Sequence, residues 1–465
     1  MYRAVFVILS GNALNALLML ARNILIARLI SVENFGIAAT FGLALAIIEM
    51  TSTFGLQQQL VQDKRGNNPE FQAALQGFQI IRGLVNAAVL FLLAAPFAQF
   101  MGVPEVIWAH QLIVVVLILN GLVHFDVHRL SRQMRYGPAA IAAAISPLAA
   151  LLAVWPLYLI FGDYQVMLWS LILQAAATAV MSHLVAERPY RVRFDRAVIG
   201  QSLRFGWPLL VDGLLLFAIF NGDKLIVGRE FGMGQLALFT MAVTLTMTPG
   251  LIFQKSASSF FLPQLSAVAD DPARFRSLAF VTLQTHVLCA GLLAVGVVIC
   301  GSPFVTLVLG AKYQEMEPYL ILLAVMQALR VIKGGSATVS LSQARTSNGM
   351  LANILRIAVL PLAWYVAASG GSVVTLIWIG ILGEACGTVV SLGLLRGQLH
   401  LSLRPMLLSL TACVGLLMLT GVGASGGLPG LWVYVLIAGV AALPLAVPDL
   451  RLYLRHRRMT HHGGN

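Results

Sequence analysis

Apolar residues run through this chain in long stretches, each interrupted by a short polar break. Each stretch is about twenty residues long, which is the length that crosses a bilayer as a helix, and the breaks hold proline, glycine or clustered charge. The pattern therefore predicts an all-α integral membrane protein with about fourteen spans. They cover residues 4–29, 35–60, 72–98, 105–125, 138–161, 164–186, 199–228, 234–262, 277–301, 317–340, 346–369, 372–395, 405–422 and 429–448.

The composition supports this interpretation and excludes a soluble enzyme. Apolar residues make up 59% of the 465 residues and charged residues only 10%, against about 25% charged in a soluble domain. The first apolar stretch is too long for a cleaved signal peptide, so we expect it to remain as span 1. The four cysteines show no metal-ligand spacing and no glycine-rich phosphate loop is present, so we expect no metal, no cofactor and no ATP hydrolysis.

The positive charges predict the orientation of the chain in the membrane. With the N-terminus inside, nineteen of the 30 Lys and Arg residues fall in cytoplasmic segments and three in outward loops. Cytoplasmic loops carry such an excess, so both termini are expected in the cytoplasm. Because the basic residues lie in breaks between spans, the net charge of +12 indicates a membrane protein and no nucleic-acid partner.

An internal repeat predicts two similar halves. The segment Ile24–Thr40 aligns with Leu225–Met241 at an offset of 201 residues, which places Arg28 on Arg229. The predicted organisation is an N-lobe of spans 1–6, a basic interlobe loop, a C-lobe of spans 7–12, two further spans and a basic cytoplasmic tail. The boundaries are 1–186, 187–198, 199–395, 396–449 and 450–465.

Four segments of the chain resemble a known family. They are RNILIARLISVENFGIAAT from Arg22, FGLQQQLVQDK from Phe54, GDKLIVGREFGMGQLALFTMA from Gly222 and FLPQLSAVADDPARF from Phe261. These segments resemble the polysaccharide-exporter (O-antigen and exopolysaccharide) flippases of the MOP superfamily. The resemblance implies two six-helix lobes, as in MATE transporters, around a cavity with alternating access.

The same resemblance implies the cargo and the location. The protein would be a flippase that moves undecaprenyl-diphosphate-linked oligosaccharide repeat units from the inner to the outer leaflet of the bacterial inner membrane. Its partners would be that cargo, membrane lipids, and a polysaccharide polymerase with its chain-length regulator. The identity of the sugars does not follow from these segments.

Eight basic residues fall inside the predicted spans, where a cation at the bilayer centre costs about 2.5–3.5 kcal/mol and so faces a partner or a wet cavity. Residues at the ends of the spans are left out of this count. The eight exceed the four acidic residues inside the spans, which are Glu49, Asp212, Asp223 and Glu384, by four charges. A diphosphate suits such a surplus, because Arg offers it paired donors. The predicted head-group contacts are Arg22, Arg82, Arg356, Lys255, Arg330 and Lys333.

Carboxylates inside the membrane are candidates for coupling transport to an ion gradient. Glu49, Asp212 and Glu384 lie near mid-depth in their predicted spans. They suggest coupling to a proton or sodium gradient or to the membrane potential. Structural pairing of these acids with Arg22, Arg82 or Arg356 is the alternative.

Two other functions remain open at this point. A cation-coupled exporter of small molecules or drugs from the same superfamily is expected to have an acidic cavity, whereas this chain has a basic surplus. A membrane glycosyltransferase or polysaccharide polymerase is expected to have a large outward loop, and the predicted outward loops are short.

Overall fold

The computed structural model describes residues 2–343, 345, 347–399, 407–424, 439, 447 and 449–450. Helices joined by short turns make up this part of the chain, and it contains no strand. The helices are α1 (Tyr2–Leu29), α2 (Val32–Thr51), α3 (Leu56–Gln62), α4 (Pro69–Phe100), α5 (Ile107–Leu112), α6 (Val114–Gly121), α7 (Asp126–Arg132), α8 (Gly137–Phe161), α9 (Gln165–Leu184), α10 (Arg196–Ala267), α11 (Pro272–Phe304), α12 (Glu317–Ser342), α13 (Ser347–Ala358), α14 (Leu360–Ala368), α15 (Val373–Leu399) and α16 (Leu407–Ala424).

Helices make up most of each predicted span within the described ranges. Ten described helical segments are long and apolar enough to cross a membrane. One of them is α10, whose 72 residues contain a non-helical residue at Gly232 and so hold two predicted spans. α1 and α16 cover predicted spans 1 and 13. The prediction of an all-helical, multi-pass membrane protein is confirmed, while span 429–448 and the tail 450–465 lie almost wholly outside the described residues.

Three predicted spans contain breaks that the apolar pattern does not reveal. Span 35–60 ends as a helix at Thr51, and Gly55, with a left-handed φ of 63°, precedes the separate α3. Span 105–125 is a 3₁₀ turn followed by α5 and α6. Span 346–369 divides between α13 and α14 at Pro361, which lacks the N–H that a continuous helix needs.

Polar caps mark the starts of three of the long helices, α2, α4 and α11. The Ser31 hydroxyl accepts a hydrogen bond from the Asn34 N–H at 3.2 Å and so caps α2. Asn68 caps α4 through the Glu70 N–H at 2.8 Å, and Pro69 follows it. Asp271 caps α11 through two N–H groups, each at 3.1 Å. Each cap satisfies backbone donors that the first turn leaves unpaired.

The described residues form two compact units, one up to Thr240 and one from Met241 onward. In the first unit α8 packs against α1 and α9, and α4 packs against α6. In the second unit α12 packs against α11 and α15, and α15 packs against α13. The first half of α10 belongs to the first unit, and the lobe boundary at 187–198 stays a prediction.

The turns of the predicted repeat coincide in register. The break after α1 falls at Ser31, and the break inside α10 falls at Gly232, an offset of 201 residues. Within the first unit the two copies touch, because a Cβ on Gly36 would collide with the backbone of Met233. Glycine at this position allows the helices to approach closely.

Candidate functional site

A cavity of about 550 Å³ lies within the first unit. Residues of α1, α2, α3, α4, α6, α7, α8 and α9 line it, so every predicted span of the N-lobe contributes. Two of the predicted site residues, Glu49 and Arg82, are in its wall, together with six side-chain amides. The structure thus brings one predicted cation and one predicted coupling carboxylate to the same cavity.

Glu49 and Arg82 have few partners in this wall. One oxygen of Glu49 accepts a hydrogen bond from the Asn120 amide at 2.6 Å. Arg82 donates from Nη1 to the Ser52 carbonyl at 3.3 Å, and its buried Nε has no partner within the described ranges. Most of the donors of this guanidinium therefore remain available to a ligand in the cavity.

Arg22 is buried beside the cavity and is held by amides. It is 3% exposed. Its Nη1 donates to the Gln174 carbonyl oxygen, and its Nη2 donates to the Asn23 side chain at 3.2 Å. No carboxylate of the described part of the chain lies within 4 Å of its guanidinium. Because Gln174 lines the cavity, it links Arg22 to the cavity wall.

The second unit gathers three predicted cations around one predicted carboxylate. Arg330 Nε lies 2.6 Å from Glu384 Oε1, and Lys333 Nζ lies 2.7 Å from Oε2. Arg356 Nε approaches Oε1 at 3.6 Å, with both side chains fully buried. We call these four residues the Glu384 cluster. Its four side chains carry a formal charge of +2.

Local sequence explains how α12, α13 and α15 assemble this cluster. Arg330 and Lys333 are three residues apart on α12 and so share a helix face, as predicted from their spacing. Gly380 lies one turn before Glu384 on the same face of α15, and Gly383 directly precedes Glu384. Cβ atoms at these glycines would stand 3.5 and 3.4 Å from the Arg356 side chain. The small residues leave room for that guanidinium next to the carboxylate. Arg330 and Lys333 are both paired with Glu384 in the interior of the second unit.

The remaining two predicted residues stand apart from both groups. Lys255 and Asp212 are exposed on α10 and line neither the cavity nor the Glu384 cluster. The structure therefore divides the predicted contacts into a cavity group, a buried ion cluster and two isolated side chains. Their roles in binding and coupling stay predictions.

A buried carboxylate anchors the interlobe loop to the first unit. Asp126, which is 0% exposed, lies beyond the end of α6, outside the membrane-spanning segments. It pairs with Arg129 at 2.5 Å and accepts the backbone N–H of Glu187 at 2.8 Å. Burial on its own would raise the pKa of Asp126. The donors, led by Arg129, outweigh it and lower that pKa from 3.8 to about 2.

The loop then lies along α4. The Arg193 N–H donates to the Ala73 carbonyl at 3.0 Å, and the Gln76 amide donates to the Arg191 carbonyl at 3.0 Å. A Cβ on Gly77 would collide with the Arg193 carbonyl, so glycine is needed where the loop crosses the helix. The loop was predicted from its charge alone, and the structure adds a specific attachment.

Sequence patterns did not single out three of the residues that matter here, namely Gln174, Asn120 and Asp126. Each acts through a partner far away in sequence, such as Arg22, 152 positions from Gln174. An amide in an apolar span is a weak signal that such a long-range contact exists, because a buried polar group requires a partner. It does not identify which partner.

A profile of the family described as "Polysaccharide biosynthesis protein" matches residues 25–318. The chain belongs to this family. The match covers more than half of the chain. It includes three of the four segments on which the resemblance was based, and all but the first three residues of the segment from Arg22. The predicted membership in the polysaccharide-exporter group is confirmed.

Individual relatives from this group are distant in sequence. The chain is 21% identical to the lipopolysaccharide biosynthesis protein WzxC of Escherichia coli over 341 residues, which are 71% of this chain and 68% of the relative. It is 25% identical to the succinoglycan biosynthesis transport protein ExoT of Rhizobium meliloti over 314 residues, which are 66% of this chain and 62% of the relative.

Solved structures share the fold over almost the whole chain. The lipid II flippase MurJ in an inward closed conformation superposes with a TM-score of 0.72 at 13% identity and covers 97% of this chain and 99% of its own. An inward-facing MATE transporter of the MOP superfamily gives 0.64 at 15% identity, covering 83% and 94%. The predicted MOP-type fold of this family member is confirmed.

Proposed function

We propose that this protein is a flippase of lipid-linked oligosaccharide. It moves undecaprenyl-diphosphate-linked repeat units from the inner to the outer leaflet of the bacterial inner membrane, by alternating access, for exopolysaccharide or lipopolysaccharide synthesis. The family supports the pathway, the name of ExoT as a transport protein supports the activity, and the lipid II flippase MurJ shares the fold.

The observation that carries the proposal is the way in which buried cations are held. The Glu384 cluster sets three cations against one carboxylate, and Arg22 and Arg82 are held by amide and carbonyl oxygens. Cations in a membrane protein normally face a partner, a pathway or a ligand. A diphosphate is a polyanion whose oxygens accept the paired donors of Arg.

Transport requires an energy source. The three predicted coupling carboxylates differ in how well their surroundings suit them to bind a coupling ion. Glu384 is committed to three cations, and Asp212 is isolated and exposed. Glu49 lines the cavity and accepts a hydrogen bond from Asn120. We therefore assign coupling to a proton or sodium gradient, or to the membrane potential, to Glu49 first. The rest of the proposal does not depend on this assignment.

The proposal also includes the setting in the cell. Both termini face the cytoplasm, and a polysaccharide polymerase with its chain-length regulator receives the cargo on the outer side. The protein transfers its cargo without making or breaking a glycosidic bond. Detection of glycosyl transfer by the purified protein would contradict this part.

Depletion of the protein in its host tests the proposal. We expect surface polysaccharide to fall and an undecaprenyl-diphosphate-linked oligosaccharide, identified by mass spectrometry, to accumulate on the inner leaflet. Complementation with Arg22→Gln, Arg82→Gln or Arg356→Gln should reduce export relative to the exposed control Arg276→Gln at equal protein levels. Full export from all three variants, or accumulation of a different intermediate, would contradict the proposal.

A further inference from the structure

Six side-chain amides line the cavity of the first unit. Three of them, Asn15, Gln57 and Gln58, have no hydrogen-bond partner among the residues that the structure describes. A fourth, Gln79, donates to the Asn120 carbonyl at 3.0 Å and keeps its own side-chain oxygen available. Asn120 and Gln174, which complete the set, already bind Glu49 and Arg22. The cavity wall therefore presents several unused donors and acceptors.

The formal charge of this wall is close to zero. Glu49 and Arg82 are the charged residues in it and cancel each other. Burial lowers the pKa of His128, also in the wall, to about 4, so its imidazole is neutral at physiological pH. The cavity thus differs from the Glu384 cluster, where the formal charge is +2. Apart from Arg82 and Glu49, the wall presents a ligand with uncharged side chains.

Amides match one kind of uncharged ligand particularly well. Each carries two N–H donors and one carbonyl acceptor, and a sugar hydroxyl both donates and accepts. A volume of about 550 Å³ lies within the usual range for small-molecule sites, roughly 300–1,000 Å³. It suits a short oligosaccharide and not a polymer.

We propose that this cavity binds the glycan portion of the cargo through hydrogen bonds from its amides to sugar hydroxyls. The inference rests on the proposed function and adds to it a location for sugar recognition. Selection among repeat units is then carried by the first unit, while the diphosphate is bound by cations. Substitution of the amides changes which sugars are accepted and leaves recognition of the carrier lipid intact.

The test uses purified protein in liposomes and two cargoes on the same undecaprenyl diphosphate. One cargo carries the complete repeat unit and the other carries only its first sugar. The double variant N15A/Q58A removes two unpartnered amides. Gln62→Ala serves as the matched control, since Gln62 is exposed one turn beyond Gln58 on α3 and does not line the cavity.

We expect the double variant to transport the complete repeat unit about fivefold or more slowly than the wild type, because each lost hydrogen bond weakens binding severalfold. Transport of the one-sugar cargo should stay within about twofold, and the control should behave as the wild type for both cargoes. Equal loss for both cargoes, or no loss for either, would overturn the inference. If the wild type moved neither cargo, the proposed function itself would fail.

Discussion

At the residue scale, Glu384 decides the stability of the second unit. It is fully buried and is the shared partner of Arg330, Lys333 and Arg356. Removing one partner of a buried ion pair destabilises a protein by more than the intact pair stabilises it, because the remaining charge stays buried without its partner. Here three cations would lose one carboxylate at once.

We therefore expect Glu384→Gln to destabilise the protein by about 3 kcal/mol or more. Thermal unfolding of the purified protein in detergent measures this as a fall in the apparent Tm. Glu315→Gln, at an exposed position, should leave the Tm unchanged. The double variant K333Q/E384Q should recover part of the loss, because it removes the Lys333 cation together with its carboxylate partner. A Glu384→Gln protein as stable as the wild type would show that the cluster is not an ion network.

At the element scale, one residue separates two spans inside α10. Gly232 has φ 82° and ψ 178°, a conformation that is essentially restricted to glycine. The residue coincides with the turn at Ser31 in the other copy of the repeat. The helical conformation is interrupted at this position, and glycine can adopt the required dihedral angles because it has no Cβ.

We expect Gly232→Ala to cost about 1–3 kcal/mol, because alanine is strained at a positive φ combined with an extended ψ. The yield of folded protein in membranes and its Tm measure the effect. Gly234→Ala is the matched control, since it lies in the helix with open space at its Cβ position. Equal effects of the two substitutions would contradict the conformational argument.

Attachment of the interlobe loop also belongs to this scale. Replacing Asp126 with Asn removes the ion pair to Arg129 and puts an N–H group where the backbone N–H of Glu187 now donates. We expect trypsin to cleave the loop after Arg191 or Arg193 several times faster in Asp126→Asn than in the wild type. Mass spectrometry of the fragments checks this, and unchanged cleavage would contradict the anchor.

The anchor has a defined pH range. The pKa of Asp126 is lower in the folded protein, about 2, than its ordinary value of 3.8. Its contribution to stability is therefore complete above about pH 4 and is lost as the pH falls from 4 toward 2. The protection of the loop amides from hydrogen exchange, measured relative to the intrinsic exchange rate at each pH, should fall in that interval.

At the scale of the whole molecule, the apolar pattern predicted the number and type of elements well. Spans of about twenty apolar residues are set by bilayer thickness, which a single sequence reveals. The breaks at Gly55 and Pro361 depend on one residue each and were absorbed into longer apolar runs. The shared face of Arg330 and Lys333 could be predicted because it follows from helical spacing.

Contacts between distant spans could not be predicted in the same way. The pairing of Arg22 with Gln174, and the convergence of three cations on Glu384, depend on how helices pack within each unit. A helix wheel gives the face of each residue but not the neighbour that it meets. The candidate site was therefore predicted as a set of residues and not as two separate groups.

The central claim is that buried cations of this protein recognise a diphosphate on a carrier lipid. Transport by the purified protein in liposomes tests it most directly, with the same oligosaccharide attached either to undecaprenyl diphosphate or to an uncharged lipid of equal length. We expect the diphosphate-linked cargo to cross about tenfold or more faster than in protein-free liposomes, because its charge is the feature bound, while transfer of the uncharged lipid is not accelerated. Equal acceleration of both cargoes would contradict this recognition. It would also be contradicted if the folded wild-type protein accelerated neither cargo under an imposed ion gradient and membrane potential.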